Sequence, residues 1–195
     1  VKPRLQLTKL VKLAKVVGPD GQPRDRVVVT DADLRTQFEH DFGEQRQIQV
    51  IMYPPSDDPK GIMAGYGKLR ESQDEFDRAA RQQANPSLAS MVGHVQPIRR
   101  HSTGNDKIVE VEAFKLKEGE ISGVVQLGGV DPKTGHPDRG WMVMKLHRII
   151  PASDKKFESE KEALYKEAYA KKLEAEIPAY FKELKDRAAP NILLK

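Results

Sequence analysis

The chain has 195 residues, of which 32% are charged and 38% are hydrophobic, and its formal net charge is +4. This length fits one ordinary domain, or one small domain with appended elements. The sequence contains no cysteine, which excludes disulfides, thiolate catalysis and cysteine-bound metal. No run approaches the roughly 18 apolar residues of a membrane-spanning helix.

Residues 1–45 predict a helical segment interrupted by a turn and a short extended run. The apolar spacing from Leu5 to Val17 predicts a helix that ends at the turn formers Gly18–Gly21. Arg26–Val29 then runs extended into Thr30, a residue type that caps helix N-termini. A second helix should follow, because apolar residues recur there at helical spacing. These residues are Leu34, Phe38 and Phe42.

Residues 46–150 mix the periods of strands and helices, which indicates a small α+β sheet domain. The predicted strands cover 48–53, 92–98, 121–127 and 141–150. The predicted helices cover 72–84 and 107–114, the first opened by a capping box at Ser72. A loop of turn formers at 128–140 connects the last two strands. The pattern therefore predicts a four-stranded sheet with flanking helices.

Residues 151–195 predict one long helix, because apolar residues recur every three or four positions among alternating Lys and Glu. Pro178 should kink this helix, since it removes one hydrogen bond of the ladder. An isolated stripe of this kind would expose too much apolar surface. We therefore expect the C-terminal helix to pack on the N-terminal segment, with the sheet domain inserted between the two halves of a helical body.

Several stretches resemble the parvulin-type peptidyl-prolyl cis-trans isomerase domain. The stretch AFKLKEGEISGVVQ (113–126) has a helix end, a glycine turn and a strand start in the family's order. Gly140–Leu146 is similar to the family's final strand. Phe76–Ala80 resembles its first helix, and Val92–Val95 resembles its glycine-containing turn.

The flanks resemble SurA- and PrsA-like extracytoplasmic foldases, through Val29–Leu34 and Leu184–Leu194. The resemblance implies a folding enzyme or chaperone of a bacterial envelope that acts on unfolded or proline-containing polypeptides and needs no cofactor. It also implies that 46–150 is the isomerase domain, that 1–45 is a chaperone-like helical segment, and that 151–195 is a long helix that packs on that segment. Because the chain begins with Val, we expect sequence to be missing before residue 1, where a signal peptide or membrane anchor could lie.

The family's polar active-site positions fall on different residue types in this sequence. Its two usual histidines correspond to Gln49 and Met142, and its Cys or Asp corresponds to Asn85 or Pro86. The resemblance places substrate-binding positions at Val95, Asn105, Val109 and Phe114. These substitutions lead us to expect weak isomerase activity. The alternative is a catalytically inactive chaperone or scaffold of the same fold that only binds extended peptide.

Two other classes of function have less support in the sequence. The basic residues of 1–26 could suggest nucleic-acid binding, but no aromatic residue there could stack on bases, so we expect no nucleic-acid partner. A metal site is not expected either. The four residues that could suggest one lie in or beside the loop of turn formers, which is typical of a hairpin connection. They are Asp131, His136, Asp138 and His147.

Overall fold

The computed structural model describes residues 15–17, 21–102, 106–135 and 137–188. The chain divides into two compact units. One unit is Glu39–Asp154, and the other comprises the described parts of Val1–Phe38 and Lys155–Lys195. None of the helices in the described ranges combines the length and apolar character that crossing a membrane requires.

The unit formed by the two chain ends contains a hairpin of strands β1 (Lys15–Val17) and β2 (Pro23–Asp25). The predicted helix over 5–17 is therefore wrong at its C-terminal end, and positions 1–14 lie outside the described residues. Two features explain the strand. Val16 and Val17 are β-branched, which favours an extended backbone, and β1 pairs antiparallel with β2.

Helix α1 (Asp31–Phe42) begins where the sequence predicted, with Thr30 before its first turn. The Asp33 backbone amide donates to Thr30 Oγ1 at 3.3 Å, and the Thr30 amide donates to Asp33 Oδ2 at 2.7 Å. Lys172 donates to the same carboxylate oxygen at 2.5 Å. The hydrogen bond from Lys172, with those from Thr30, lowers the pKa of Asp33 to about 2.

The long C-terminal helix is present as α6 (Phe157–Ala188), which begins six residues after the predicted start at 151, and it continues past Pro178. Residues 189–195 lie outside the described residues. Within this unit Val27 and Leu173 are buried against each other, with partly buried aliphatic and aromatic residues of α6 around them. Arg26 forms an ion pair with Glu183.

The central unit is built on a three-stranded antiparallel sheet with the order β3-β5-β4. The strands are β3 (Gln45–Tyr53), β4 (Val125–Gln126) and β5 (Trp141–Ile150). Helices α2 (Pro59–Glu71), α3 (Gln73–Gln82), α4 (Pro86–Ser90) and α5 (Asp106–Ala113) complete the unit. The α+β class predicted from the sequence is confirmed. Helices α2 and α4 were not predicted.

The four-stranded sheet predicted from the sequence is not present in the described residues. The segment expected as the fourth strand, 92–98, contacts β3 only through isolated bridges, Gln49 with His94 and Arg46 with Ile98. Pro97 has no N–H to donate between these bridges, and Val92 has a left-handed φ of 54°. The segment therefore forms a loop along the edge of β3.

The two faces of the sheet bury different clusters, because successive strand residues point to opposite sides. One face places Ile48, Val50, Met142 and Met144 in a core with Ala113 of α5. The opposite face places Ile51 and Val143 in a core with residues of α2 and α3. These residues of the second core are Ile62, Leu69, Phe76 and Ala80.

Strand β5 contains a bulge that shifts its pairing with β3 by one residue. Gln47 pairs with Arg148, but the next residue, Ile48, pairs with Leu146. His147 is therefore the extra residue, and its side chain lies on the face opposite the Ile48 core, where it reaches Gln49.

Candidate functional site

An apolar groove of about 590 Å³ opens on the face of the sheet that carries Val50 and Met142. Two of its ten lining side chains are polar or charged, Gln96 and Arg139, and the rest are aliphatic or Met. The apolar lining residues come from both central strands and from the elements around them. They are Val50, Met52, Leu88, Val95, Ile98, Val109, Leu127 and Met142.

One wall of the groove, residues 92–98, begins with a strained turn. Val92 has φ 54° and Gly93 has φ 74°, and a left-handed conformation is unfavourable for a β-branched residue. The Gly93 amide donates to Leu88 O at 2.7 Å, and the Gly93 carbonyl accepts from Val50 N at 2.8 Å. These bonds fix the point at which the wall leaves α4 and approaches β3.

A buried polar cluster lies on the other face of the sheet and is centred on Gln49, which is fully buried. Its side-chain Nε2 donates to Asp77 Oδ1 at 2.8 Å and to Val92 O at 2.6 Å. Its Oε1 lies 3.0 Å from the donor Gln73 Nε2 and 2.8 Å from His147 Nε2. One amide therefore joins α3, β5 and the start of the groove wall.

The hydrogen bonds of Gln49 fix the tautomer of His147. Because Gln49 Nε2 must donate to two acceptors, its Oε1 accepts, and His147 Nε2 must carry the hydrogen. Burial, the charge of His94 and the charge of Lys145 lower the pKa of His147. The hydrogen bond from Gln49 is the main cause that lowers the pKa of Asp77.

Comparison with solved structures identifies the fold. The peptidylprolyl isomerase PrsA of Bacillus cereus aligns with a TM-score of 0.56 at 20% identity, over 98% of this chain and 61% of that protein. PrsA of Bacillus anthracis gives a TM-score of 0.56 at 17% identity, over 93% of this chain and 70% of that protein. This chain has a PrsA-like fold.

The resemblance to parvulin-type foldases is thus confirmed for the fold. A third structure, foldase protein PrsA of Streptococcus pneumoniae, has a TM-score of 0.52 at 16% identity, over 87% of this chain and 52% of that protein. The chain spans about three fifths of the first of these PrsA structures. No protein-family model matches the sequence, and no significant match was found among curated proteins.

Within this PrsA-like fold, three of the predicted site residues lie together. Met142, Val95 and Val109 all line the groove. Phe114 follows α5 and lies between two guanidinium groups, with Arg46 Cζ 4.6 Å and Arg100 Cζ 4.0 Å from its ring centroid.

The other predicted site residues lie elsewhere. Gln49 is on the opposite face of the sheet from Met142. Asn85 is exposed and caps α4, where its Oδ1 accepts from Leu88 N at 3.1 Å. Asn105 lies outside the described residues. The structure therefore does not bring Gln49, Asn85 and Met142 together at one site.

Sequence reasoning missed several residues of the groove and of the polar cluster. Val50 and Met52 could have been found from strand alternation, since β3 pairs with β5 and places them on the face of Met142. His147 had the same kind of signal, because it lies two residues after Lys145, the residue that pairs with Gln49, and alternation places both on one face.

No group of three or more metal-ligating side chains occurs within the ranges that the structure describes. In the loop before β5, the carboxylate of Asp131 accepts from Lys133 N at 2.8 Å, which is a local turn contact. His136 lies outside the described residues. His147 contacts Gln49 on the other face of the sheet.

Proposed function

We propose that this chain is a peptidyl-prolyl cis-trans isomerase and folding chaperone that binds an X-Pro segment of an unfolded polypeptide in the apolar groove. The observation that carries the proposal is the groove itself, which is open, about 590 Å³ in volume and lined mainly by aliphatic and Met side chains. The PrsA-like fold supports it. A proline ring and its neighbours fit an apolar groove of this size.

Rotation about an X-Pro bond needs neither a nucleophile nor a metal. The barrier is about 18–20 kcal/mol because rotation breaks the resonance of the planar amide. Catalysis requires only that the twisted amide be bound more tightly than either planar form. The twisted amide is less polar, so an apolar seat such as that around Val50, Val109 and Met142 favours it.

A pair of matched substitutions on α5 tests the groove. Val109→Trp places a large ring in the groove, whereas Val111→Trp adds the same ring at a position that is 45% exposed. The rate of cis-trans isomerisation of a short X-Pro peptide should fall at least about tenfold in V109W and remain unchanged in V111W. Equal rates in both variants, or a wild-type rate equal to the uncatalysed rate, would reject an isomerase site in this groove.

A catalytically inactive chaperone or scaffold is the second candidate. The observation that favours it is that Gln49 and Asn85 do not line the groove. These are two of the three positions that match the family's polar active-site residues. Such a protein would suppress aggregation of an unfolded client without accelerating isomerisation. Loss of that suppression in V109W, with no catalysis by the wild type, would assign the groove to binding alone.

We further propose an extracytoplasmic location, with residues 46–150 as the isomerase module, residues 1–45 as a chaperone-like segment and residues 151–195 as a long helix that packs on that segment. The similarity of the flanking sequences to SurA- and PrsA-like foldases supports this proposal. Fractionation of the native host into cytoplasm and envelope tests the location. Recovery of the protein in the cytoplasm alone would contradict it.

A further inference from the structure

We propose that His94 and His147 form a pH-sensitive switch, which holds the groove wall, residues 92–98, against the sheet at neutral pH and releases it, together with a bound client segment, as the pH falls. This inference rests on the proposed function, because it requires the groove to bind X-Pro segments. Its basis is the position of the two imidazole rings, whose centroids lie 5.2 Å apart with an angle of 41° between the ring planes.

The groove wall contacts both the groove and the histidine pair. Val95, Gln96 and Ile98 line the groove. The ring of His94 lies instead against His147, whose side chain reaches the buried amide cluster on the other face of the sheet. A change of charge on that face therefore acts directly on the segment that forms one side of the client groove.

The wall is attached to β3 through isolated bridges rather than a continuous ladder. Val50 N donates to Gly93 O at 2.8 Å, and Arg46 and Ile98 exchange two backbone hydrogen bonds of 2.8 and 2.9 Å. Pro97 lies between these bridges and has no N–H to donate. Segments held by few backbone hydrogen bonds open at a low cost in free energy, so a moderate repulsion is sufficient to displace this one.

Protonation of His147 adds charge without breaking its hydrogen bond to Gln49. Its Nε2 already carries the hydrogen that is donated to Gln49 Oε1 at 2.8 Å, so the proton taken up at low pH goes to Nδ1. The imidazolium then faces the ring of His94, and like charges this close repel each other. Burial and then the charge of His94 lower the pKa of His147. Displacement of the wall relieves the second cause, so protonation favours the displaced wall.

Other charged groups around His147 set the strength of this effect. On β5, Lys145 also lowers the pKa of His147, whereas Asp77 on α3 raises it. The pKa of Asp77 is itself lowered, chiefly by the hydrogen bond from Gln49 and further by Gln73, Arg81 and His94. Asp77 therefore keeps its charge over the range in which imidazoles gain theirs, and a change between neutral and acidic pH comes from the histidine pair.

Peptide affinity measured against pH tests the proposal. A labelled X-Pro peptide, free of groups that titrate in the histidine range, would be bound to the full chain at constant ionic strength, with fluorescence anisotropy as the readout. The wild type should bind about fivefold more weakly at about pH 5.5 than at about pH 7.5, a ratio in the usual range for two coupled sites. The far-UV circular dichroism spectrum should stay the same at both pH values.

Three variants assign the effect to the histidine pair. His147→Gln keeps a donor for Gln49 but cannot gain charge, and His94→Gln removes the charge from the wall. Both should bind the peptide with nearly the same affinity at the two pH values. His101→Asn is the matched control, since His101 is exposed, pairs with Glu39 and has a left-handed φ of 61° that asparagine tolerates. It should keep the pH dependence of the wild type.

A second measurement follows from the reciprocity of linked equilibria. A peptide that binds only when the wall is in place must make His147 harder to protonate. NMR titration of the histidine rings should therefore show that saturating peptide lowers the pKa of His147 further. The same titration of the H94Q variant should show a smaller effect of the peptide.

The outcomes separate this inference from the proposed function. Wild-type binding that does not change with pH, or a pKa of His147 that the peptide leaves unchanged, overturns the switch while the proposed function stands. Equal pH dependence in the wild type and H94Q also overturns it, and this variant at an exposed position decides the question if H147Q does not fold. Loss of the circular dichroism signal together with binding would assign the effect to unfolding of the whole unit and overturn the switch. If no peptide binds at any pH and none is isomerised, both proposals are rejected.

Discussion

The side-chain Nε2 of Gln49 lies 2.6 Å from the carbonyl oxygen of Val92, so a buried amide on one face of the sheet holds the residue that begins the groove wall on the other. Val92 has a left-handed φ of 54°, a conformation that a β-branched residue keeps only when its surroundings hold it. Gln49 is thereby linked to the groove without lining it, and we expect it to act as a positioning residue.

Replacing Gln49 should destabilise the unit and weaken peptide binding together. Gln49→Ala leaves Val92 O without its side-chain donor and removes one of the two donors to Asp77 Oδ1, since Gln73 Nε2 still donates to it, and this costs about 2–4 kcal/mol in free energy of unfolding. The matched control is Gln47→Ala, since Gln47 is half-buried on the same strand and its one long contact to the wall is 3.5 Å. Urea denaturation of both variants measures the difference. Equal losses would contradict a special role for Gln49.

The central strands could be predicted from the sequence because their side chains point alternately to the two faces of the sheet. The predicted strands 48–53 and 141–150 lie within β3 and β5, which pair along their length. Helix α2 was missed because Gly61, Gly65 and Gly67 reduce its helix propensity. In the same way, the wall 92–98 has the composition of a strand but is kept from pairing by Pro97 and the turn at Val92.

The groove was only partly predictable, for a physical reason. Val95, Val109 and Met142 were identified through the resemblance, and all three line the groove. The partners of Gln49 come from α3 and β5 and meet only in three dimensions. Alternation along β5 places His147 on the face of Gln49, but the pairing of β3 with β5 that brings the two side chains together is known only from the structure.

Gly93, the glycine of the groove wall, should tolerate no side chain without a loss of stability. Gly93→Ala combines a left-handed φ of 74° with a Cβ 2.2 Å from the carbonyl oxygen of Val50. The backbone must shift, and we expect a loss of about 3 kcal/mol in the free energy of unfolding, with weaker peptide binding. Gly119→Ala is the control, because Gly119 has φ 79° but open space for a Cβ. It should cost about 1 kcal/mol, and a Gly93 effect no larger than this would be inconsistent with the close contact.

The interaction of Asp33 with Lys172 should stabilise the unit formed by the chain ends at neutral pH. The pKa of Asp33 is lowered from 3.8 to about 2. Its contribution to the free energy of unfolding is therefore present above pH 3.8 and is lost as the pH falls toward 2. Both side chains are partly exposed, which limits the stabilisation from this ion pair to about 1 kcal/mol. A double-mutant cycle with Asp33→Asn and Lys172→Met should give a coupling that shrinks over this range. A coupling independent of pH would contradict the prediction.

Stability of the central unit should decrease as the pH falls through the range in which an unfolded histidine titrates. Burial, His94 and Lys145 lower the pKa of His147 below 6.5, while Asp77 opposes them. Between the lowered pKa and 6.5 the unfolded chain therefore binds more protons than the folded chain, and the free energy of unfolding decreases as the pH falls. His147→Gln keeps a donor for Gln49 but cannot titrate, so it should flatten this slope. Urea denaturation at several pH values between about 8 and 5 measures it, and an unchanged slope in H147Q would assign the pH dependence to other groups.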